Sequence, residues 1–416
     1  MNQKQNHIGI YLSNNANKKK LFNDILQHGY LEQYIDLSGL KGVLFSFTTI
    51  EKMIDEEFRH DRFLITTQDN ASLESMSSGQ QRKALLAWQV AQQPDYMLLD
   101  DVYSNVDKAT QEYICTELSA LADTVLMIQV FFRKRDMLPF IQTVIRVNEK
   151  NQIEKPEKVT DFLEEKRTAT FRYFSLPDSF GQQHPDIDPL IELKNISVKY
   201  GDKQVLTQLN WTIRKGEFWQ LTGPNGSGKS TLVSMISGDN PKAYGQDMTL
   251  FGIRKGSGET IWDIKKYIGY FTTLMIHRFT RGESVENMII SGLNDSVGLY
   301  AEPTDIQKKT ARHWLDMLGP SFYNKTFQQL SIGQQRMVMV ARAMVKHPPL
   351  LILDEPTIEL DDVNSELFID MVKAIAAEKR IAIVYISHRD EDNLQPDKIF
   401  ELRDTGKGYT GVVLKG

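Results

Sequence analysis

Apolar positions fall into short blocks, and their spacing predicts most of the architecture. Runs at 8–12, 97–99, 125–128 and 144–147 are short and nearly continuous, as expected of strands buried on both faces of a parallel sheet. Runs at 218–221 and 383–386 have the same character, and 191–200 alternates as a strand. Residues 80–92 carry Ala84, Leu85, Trp88 and Ala91 on one helical face, and 232–236 continues as a helix after 218–221. The alternation predicts an α/β chain. It breaks over 151–189, where Glu154, Lys155, Glu157, Lys158, Glu164, Glu165, Lys166 and Arg167 are followed by turn formers near Gly181 and Pro185. This stretch reads as an interdomain connector. Phe171, Tyr173 and Phe174 suggest that its middle packs on a neighbour, the alternative being a loose linker throughout.

The longest apolar runs, such as 381–386, fall far short of the roughly 20 residues of a membrane helix, and residues 1–7 are polar. A soluble, unexported chain is expected. The length of 416 residues suggests two or three domains. With 49 basic and 54 acidic residues the net charge is -5, which gives no global footprint for nucleic acid and leaves room for a local patch. The single cysteine, Cys115, excludes an internal disulfide, reads as a small core residue and fits a reducing cytoplasm.

One stretch carries specific chemistry. Residues 219–231 fit the P-loop pattern at Gly223, Gly228, Lys229 and Ser230, between an apolar strand and a helix. Glycines let the backbone turn its N–H groups toward phosphates at a helix N-terminus. In that role Lys229 would bridge the β- and γ-phosphates of a nucleoside triphosphate, and the Ser230 hydroxyl would join Mg²⁺. A strand-turn-helix corner with chance glycines is the alternative, and the Lys-Ser pair argues against it.

Three further landmarks occur twice. Leu330-Ser331-Ile332-Gly333-Gln334-Gln335-Arg336 precedes Leu353-Asp354-Glu355, and Met76-Ser77-Ser78-Gly79-Gln80-Gln81-Arg82 precedes Leu99-Asp100-Asp101. Ser331 to Asp354 and Ser77 to Asp100 are both 23 positions, and Asp354 to Asp361 and Asp100 to Asp107 are both 7. The matched intervals point to an internal duplication.

These residues resemble the ATP-binding cassette (ABC) family, whose signature is Leu-Ser-Gly-Gly-Gln. The resemblance implies two P-loop NTPase cassettes in tandem, with a reduced, degenerate one at 1–150, a connector at 151–189 and a complete one at 190–416. The later half looks most like a tandem-cassette group of molybdenum-transport ATPases and photorepair proteins. The residues that carry this are Ser237-Gly238-Asp239, Leu250-Phe251-Gly252, the run from Gly256 to Lys266, and Val345-Lys346-His347-Pro348.

In the earlier half, Lys19 aligns with Lys229 but every loop glycine is missing, and Lys20 stands where Ser230 would ligate Mg²⁺. A loop of Asn and Lys reads as a decayed site, and a cation at the metal position repels Mg²⁺. Too few residues precede Lys19 for an adenine platform. Phe47-Thr48-Thr49 echoes Phe271-Thr272-Thr273. From there to the signature serine is 28 positions in the earlier half against 58 in the later one, so most of a helical subdomain is expected to be lost. Asp101 replaces the catalytic Glu, and no histidine occurs between Asn105 and Lys150.

The resemblance implies head-to-tail cassettes with ATP between the P-loop of one and the signature of the other. Gly223, Asn225, Gly226, Ser227, Gly228, Lys229, Ser230 and Thr231 would then hold the phosphates, and Tyr200 would stack on adenine, a core tyrosine being the alternative. Ser77, Ser78, Gly79 and Gln80 would close the site from the other half, with helix dipoles aimed at the γ-phosphate. Ser230 and Asp354 would hold Mg²⁺, Glu355 would orient or deprotonate water, and His388 would contact the γ-phosphate. Asp361 would lie where the halves meet. Ile332 replaces the first signature glycine opposite the decayed loop, and Thr273 replaces the Gln that senses metal and transport partners.

Three functions are open. One is an ATPase acting with a membrane permease in molybdate-type transport, cytoplasmic or peripheral to the inner membrane. A second is a non-transport ATP switch on a soluble machine such as the ribosome or nucleic acid, although the connector is short and of mixed charge. The third is an ATP sensor with negligible turnover.

Overall fold

The computed structural model describes residues 6–415 except 15, 28–30, 32–33, 61, 66–71, 104–105, 149, 165–175, 178–183, 281, 388–390 and 392. The chain divides into two compact units: residues 1–169 with 359–363, and residues 170–358 with 364–416.

The first unit holds one sheet of β1 (Ile8–Leu12), β2 (Gly42–Phe45), β3 (Tyr96–Asp100), β4 (Leu126–Phe131), β5 (Thr143–Val147) and β6 (Glu157–Lys158), in the order β2-β3-β4-β1-β5-β6. The pairings are parallel apart from antiparallel β5 with β6. Successive residues alternate between two apolar layers: Leu99 and Met127 join Phe45, Leu85 and Phe131 on one face, while Leu98 and Ile128 join Ile10, Leu21 and Ile25 on the other. Both faces are thus covered, which is why the runs are apolar throughout. The covering helices include α1 (Lys18–Gln27), α2 (Phe47–His60), α3 (Ser78–Ala91) and α4 (Lys108–Leu121). Among the described residues, α2 and one turn, Leu73–Ser75, stand between β2 and α3.

Part of the stretch expected as a connector belongs to this body. Ile153 bridges to Val147, β6 extends the sheet, and α5 (Val159–Glu164) buries Phe162 edge-on against Tyr11 and Phe131, at 5.2 and 6.1 Å between centroids. Phe171, Tyr173 and Phe174 lie outside the described residues.

In the second unit β7 (Ile191–Tyr200), β8 (Lys203–Ile213), β9 (Phe218–Thr222), β10 (Asp247–Leu250), β11 (Ile253–Arg254), β12 (Ile268–Thr272), β13 (Leu350–Asp354), β14 (Ala382–Ile386), β15 (Lys398–Asp404) and β16 (Tyr409–Lys415) form one sheet. Its order is β11-β10-β7-β8-β16-β15-β9-β14-β13-β12. The run from β15 to β12 is parallel, so the carboxyl ends of β9, β13 and β14 open on one edge. That edge is where an open α/β sheet binds its ligand. Helices α6 (Lys229–Ile236) and α7 (Ile261–Lys265) follow the early strands, α8 (Val285–Ser291), α9 (Asp305–Leu318) and α10 (Ile332–Met344) lie between β12 and β13, and α11 (Asp362–Ala377) precedes β14. Among the described residues no helix is long and apolar enough to cross a membrane.

Candidate functional site

At that edge the second unit has a cavity of about 260 Å³ lined by Tyr200, Asn225, Gly226, Gly228, Lys229, Ser230, Thr231, Asp354 and Glu355, with Val205 and Ile386. The fold supplies each in turn: β7 ends in Tyr200, β9 feeds the glycine loop, α6 starts at Lys229, and β13 ends at Asp354. Gly228 is left-handed at φ 97, and a Cβ there would come within 2.7 Å of Leu206 Cδ2, so the helix cap requires glycine. Lys229, 7% exposed, turns its ammonium back on the loop and donates to the carbonyls of Gly223 at 2.7 Å and Pro224 at 2.8 Å. Ser227 Oγ is buried with no hydrogen-bond partner among the described residues.

Glu355 has φ 48, a sparsely populated conformation for a non-glycine residue, with its N–H bonded to Ile386 O at 3.0 Å. Beside it the Tyr270 hydroxyl donates to Asp354 Oδ2 at 3.5 Å, and burial, reinforced by the Asp354 charge, holds this phenol above its usual range. Tyr200 is 43% exposed; its hydroxyl accepts from Asn240 Nδ2 at 3.0 Å, and Lys242 Nζ lies 5.5 Å from its ring. The tyrosine is a half-open ring at the cavity rim rather than a core residue. Asn240, Lys242, Val205 and Ile386 were not singled out by the sequence, since no motif connects them to the loop. His388 lies outside the described residues, two positions beyond the end of β14. β12 ends at Thr272 paired with Asp354, and Thr273 follows immediately.

The first unit repeats this frame, and its sheet register corrects the alignment. Ile10 pairs with Val130 as Leu221 pairs with Ile386. Eight residues on from each, Lys18, not Lys19, is the counterpart of Lys229, and each opens a helix, α1 and α6. The bond from Leu21 N to Asn17 O matches that from Leu232 N to Gly228 O, so Asn17 replaces Gly228 and Asn14 replaces Asn225. Likewise Phe45 pairs with Leu99 as Phe271 pairs with Leu353, so the counterpart of Thr273 is Phe47, not Thr49. Asp101 shares the unusual geometry of Glu355, with φ 40.

Both signature segments start a helix in the same way. Ser77 caps α3 and Ser331 caps α10, each in a reciprocal box with the glutamine three residues on. Arg82 Nη1 donates to Val102 O at 3.3 Å, and Arg336 Nη1 to Pro356 O at 2.7 Å, tying each helix to the turn after its acidic strand end. Ser77, Ser78, Gly79 and Gln80 belong to the first unit. Asp361 is grouped with that unit too, where its side chain accepts from Asn14 N at 3.3 Å and its N–H donates to Asn14 Oδ1 at 2.6 Å.

A glycine loop at a helix N-terminus, facing an acidic strand end at the edge of a parallel sheet, defines a P-loop nucleotide-binding protein. The ABC transporter family matches residues 206–358. The ABC transporter ATP-binding protein ModF of Escherichia coli K12 is 36% identical over 344 residues, covering 80% of this chain and 70% of ModF. An uncharacterized ABC transporter ATP-binding protein of Schizosaccharomyces pombe is 29% identical over 335 residues, covering 77% of this chain and 66% of that protein. Among solved structures, archaeal ribosome recycling factor aABCE1, in complex with stalk protein aP1, is similar over 99% of this chain and 86% of its own, with TM-score 0.62 and 13% identity, a likeness of fold. The chain belongs to the ABC ATPase family.

Proposed function

We propose that this ATPase binds one Mg-ATP, in the cavity of the second unit, and hydrolyses it with the help of the first unit's signature segment. The observation that carries this is the contrast between the two loops: one keeps its glycines, its lysine and Ser230, which lines the same cavity as Asp354, whereas the other has Asn17, Lys18 and Lys19 in the corresponding places. Backbone N–H groups of the loop, Lys229 and the unpartnered Ser227 hydroxyl suit a triphosphate. The hydroxyl and carboxylate oxygens of Ser230 and Asp354 are the hard donors that Mg²⁺ prefers, and the ion would neutralise phosphate charge there. Glu355, held at the end of β13, would orient or deprotonate the attacking water, and Tyr200 would carry the adenine. Calorimetric titration of Glu355→Gln with Mg-ATP should give a stoichiometry near one. A value of two would overturn the single-site reading.

The biological role we favour is that of a cytosolic accessory or regulatory ATPase rather than the principal motor of a transporter. Thr273 has no side chain long enough to do the work of a coupling Gln. Among the described residues only the second unit has counterparts of the α8 and α9 helices, so a two-fold symmetric permease would find one full seat and one stunted one. Molybdate uptake and molybdoenzyme activity at limiting molybdate, after gene deletion, test the role. Uptake should persist; its collapse, with rescue by the wild type but not by Glu355→Gln, would make this protein the energising subunit.

A further inference from the structure

In the first unit the loop corresponding to a P-loop is tied down by protein groups. Asn17 gives its N–H to Asn151 Oδ1 at 2.7 Å, and the Asn151 carboxamide donates back to Asn17 O at 2.9 Å. Asn14 exchanges hydrogen bonds with Asp361 and also donates from Nδ2 to Glu359 O at 2.5 Å. Asp100, the counterpart of Asp354 and 5% exposed, has Lys18 Nζ at 3.1 Å from its Oδ1. That ammonium also lies 5.6 Å from the ring of Phe132, which sits two residues beyond Val130, in the place His388 holds beyond Ile386.

We propose that Lys18 is a built-in counter-ion: a tethered ammonium that stands at Asp100 in place of a metal-nucleotide and keeps this loop closed to Mg-nucleotide. A buried carboxylate needs a positive partner, and in a nucleotide site a metal fills that need. Here the partner is covalently part of the chain and always present. The Asn151 carboxamide takes the N–H that a phosphate would use at Asn17, and the aromatic Phe132 carries no hydrogen-bonding group toward a γ-phosphate. This deepens the single-site reading, but its stability consequence holds whether or not the second unit binds nucleotide.

The charged groups bearing on the pair are Asp101 and Arg82 at Asp100, and Glu359 and Asp101 at Lys18. Burial pushes Asp100 up to about 6 against the pull of Lys18. Burial lowers Lys18, but Asp100 and Glu359 outweigh it and hold the ammonium above its usual range. Because the folded value of Asp100 exceeds its unfolded value of about 4, its stabilising contribution is complete below about pH 4 and is lost as pH rises through 6. Above 6 the carboxylate is charged and depends on Lys18.

Thermal unfolding of the full chain at pH 5 and pH 8 tests this with Lys18→Met, Asp100→Asn and the double variant. Lys18→Met should lower the midpoint by roughly 5 °C or more at pH 8, the range expected for an orphaned buried charge. The loss should be less than half as large at pH 5, where Asp100 carries a proton, and adding Asp100→Asn should recover most of it at pH 8. Equal losses at both pH values, or no recovery, would overturn the counter-ion. Photolabelling Lys229→Ala with Mg-8-azido-ATP gives the second arm. No label should enter residues 8–27, which carry this loop and exclude the signature segment at 77–80; labelling there would show the loop open to nucleotide.

Discussion

Lys229→Ala should weaken Mg-ATP binding about 10²-fold, the scale of one lost charge-assisted interaction with phosphate, and lower turnover about 10²–10³-fold. The side chain is 7% exposed and lies across its own loop on the carbonyls of Gly223 and Pro224, so it is already in the phosphate cradle. Removing it leaves the loop N–H groups in place but strips the cradle of its cation. Lys19→Ala is the matched control: this lysine is exposed on α1 and is not the counterpart of Lys229, so both binding and turnover should stay near wild type. Titration calorimetry and phosphate release measure the two effects. Stoichiometric binding retained by Lys229→Ala would place the nucleotide elsewhere.

The strands around the site were legible because buried parallel strands are apolar throughout, and the loop was legible because only glycines fit its backbone. What failed was register in the first unit. Three consecutive lysines allow any of them to align with Lys229 once the glycines are gone, and only the pairing of Ile10 with Val130 selects Lys18. The same loss moved the echo of Thr273 by two residues, from Phe47 to Thr49, since a repeated Phe-Thr pattern carries no information about which residue ends a strand. Asn151 and Phe162 were hidden for a different reason. Each is a single residue in a charged stretch, one acting through a hydrogen bond across 134 positions and the other through burial against Tyr11 and Phe131. Periodicity reports neither kind of contact.

Gly79→Asp is expected to depress turnover by 10²-fold or more, the order seen when a transition-state contact is lost, while Ile332→Asp should leave it near wild type. Under the proposed function the N-terminus of α3 supplies N–H groups and dipole to the γ-phosphate in the second unit's cavity, and a carboxylate there would repel the phosphate. Ile332 opens α10, whose place in the family scheme is opposite the loop closed by Lys18, where no phosphate is expected. Bulk must be separated from charge, because a Cβ at Gly79 already comes within 2.9 Å of Thr110 Oγ1. Gly79→Ala carries that crowding alone, so its loss should be well below that of Gly79→Asp, with unfolding midpoints reporting any damage to the packing of α3 on α4. Comparable losses from Gly79→Asp and Ile332→Asp would mean that the cavity borrows its signature from the second unit of another copy of the chain, and sedimentation in Mg-ATP with Glu355→Gln would then show a dimer.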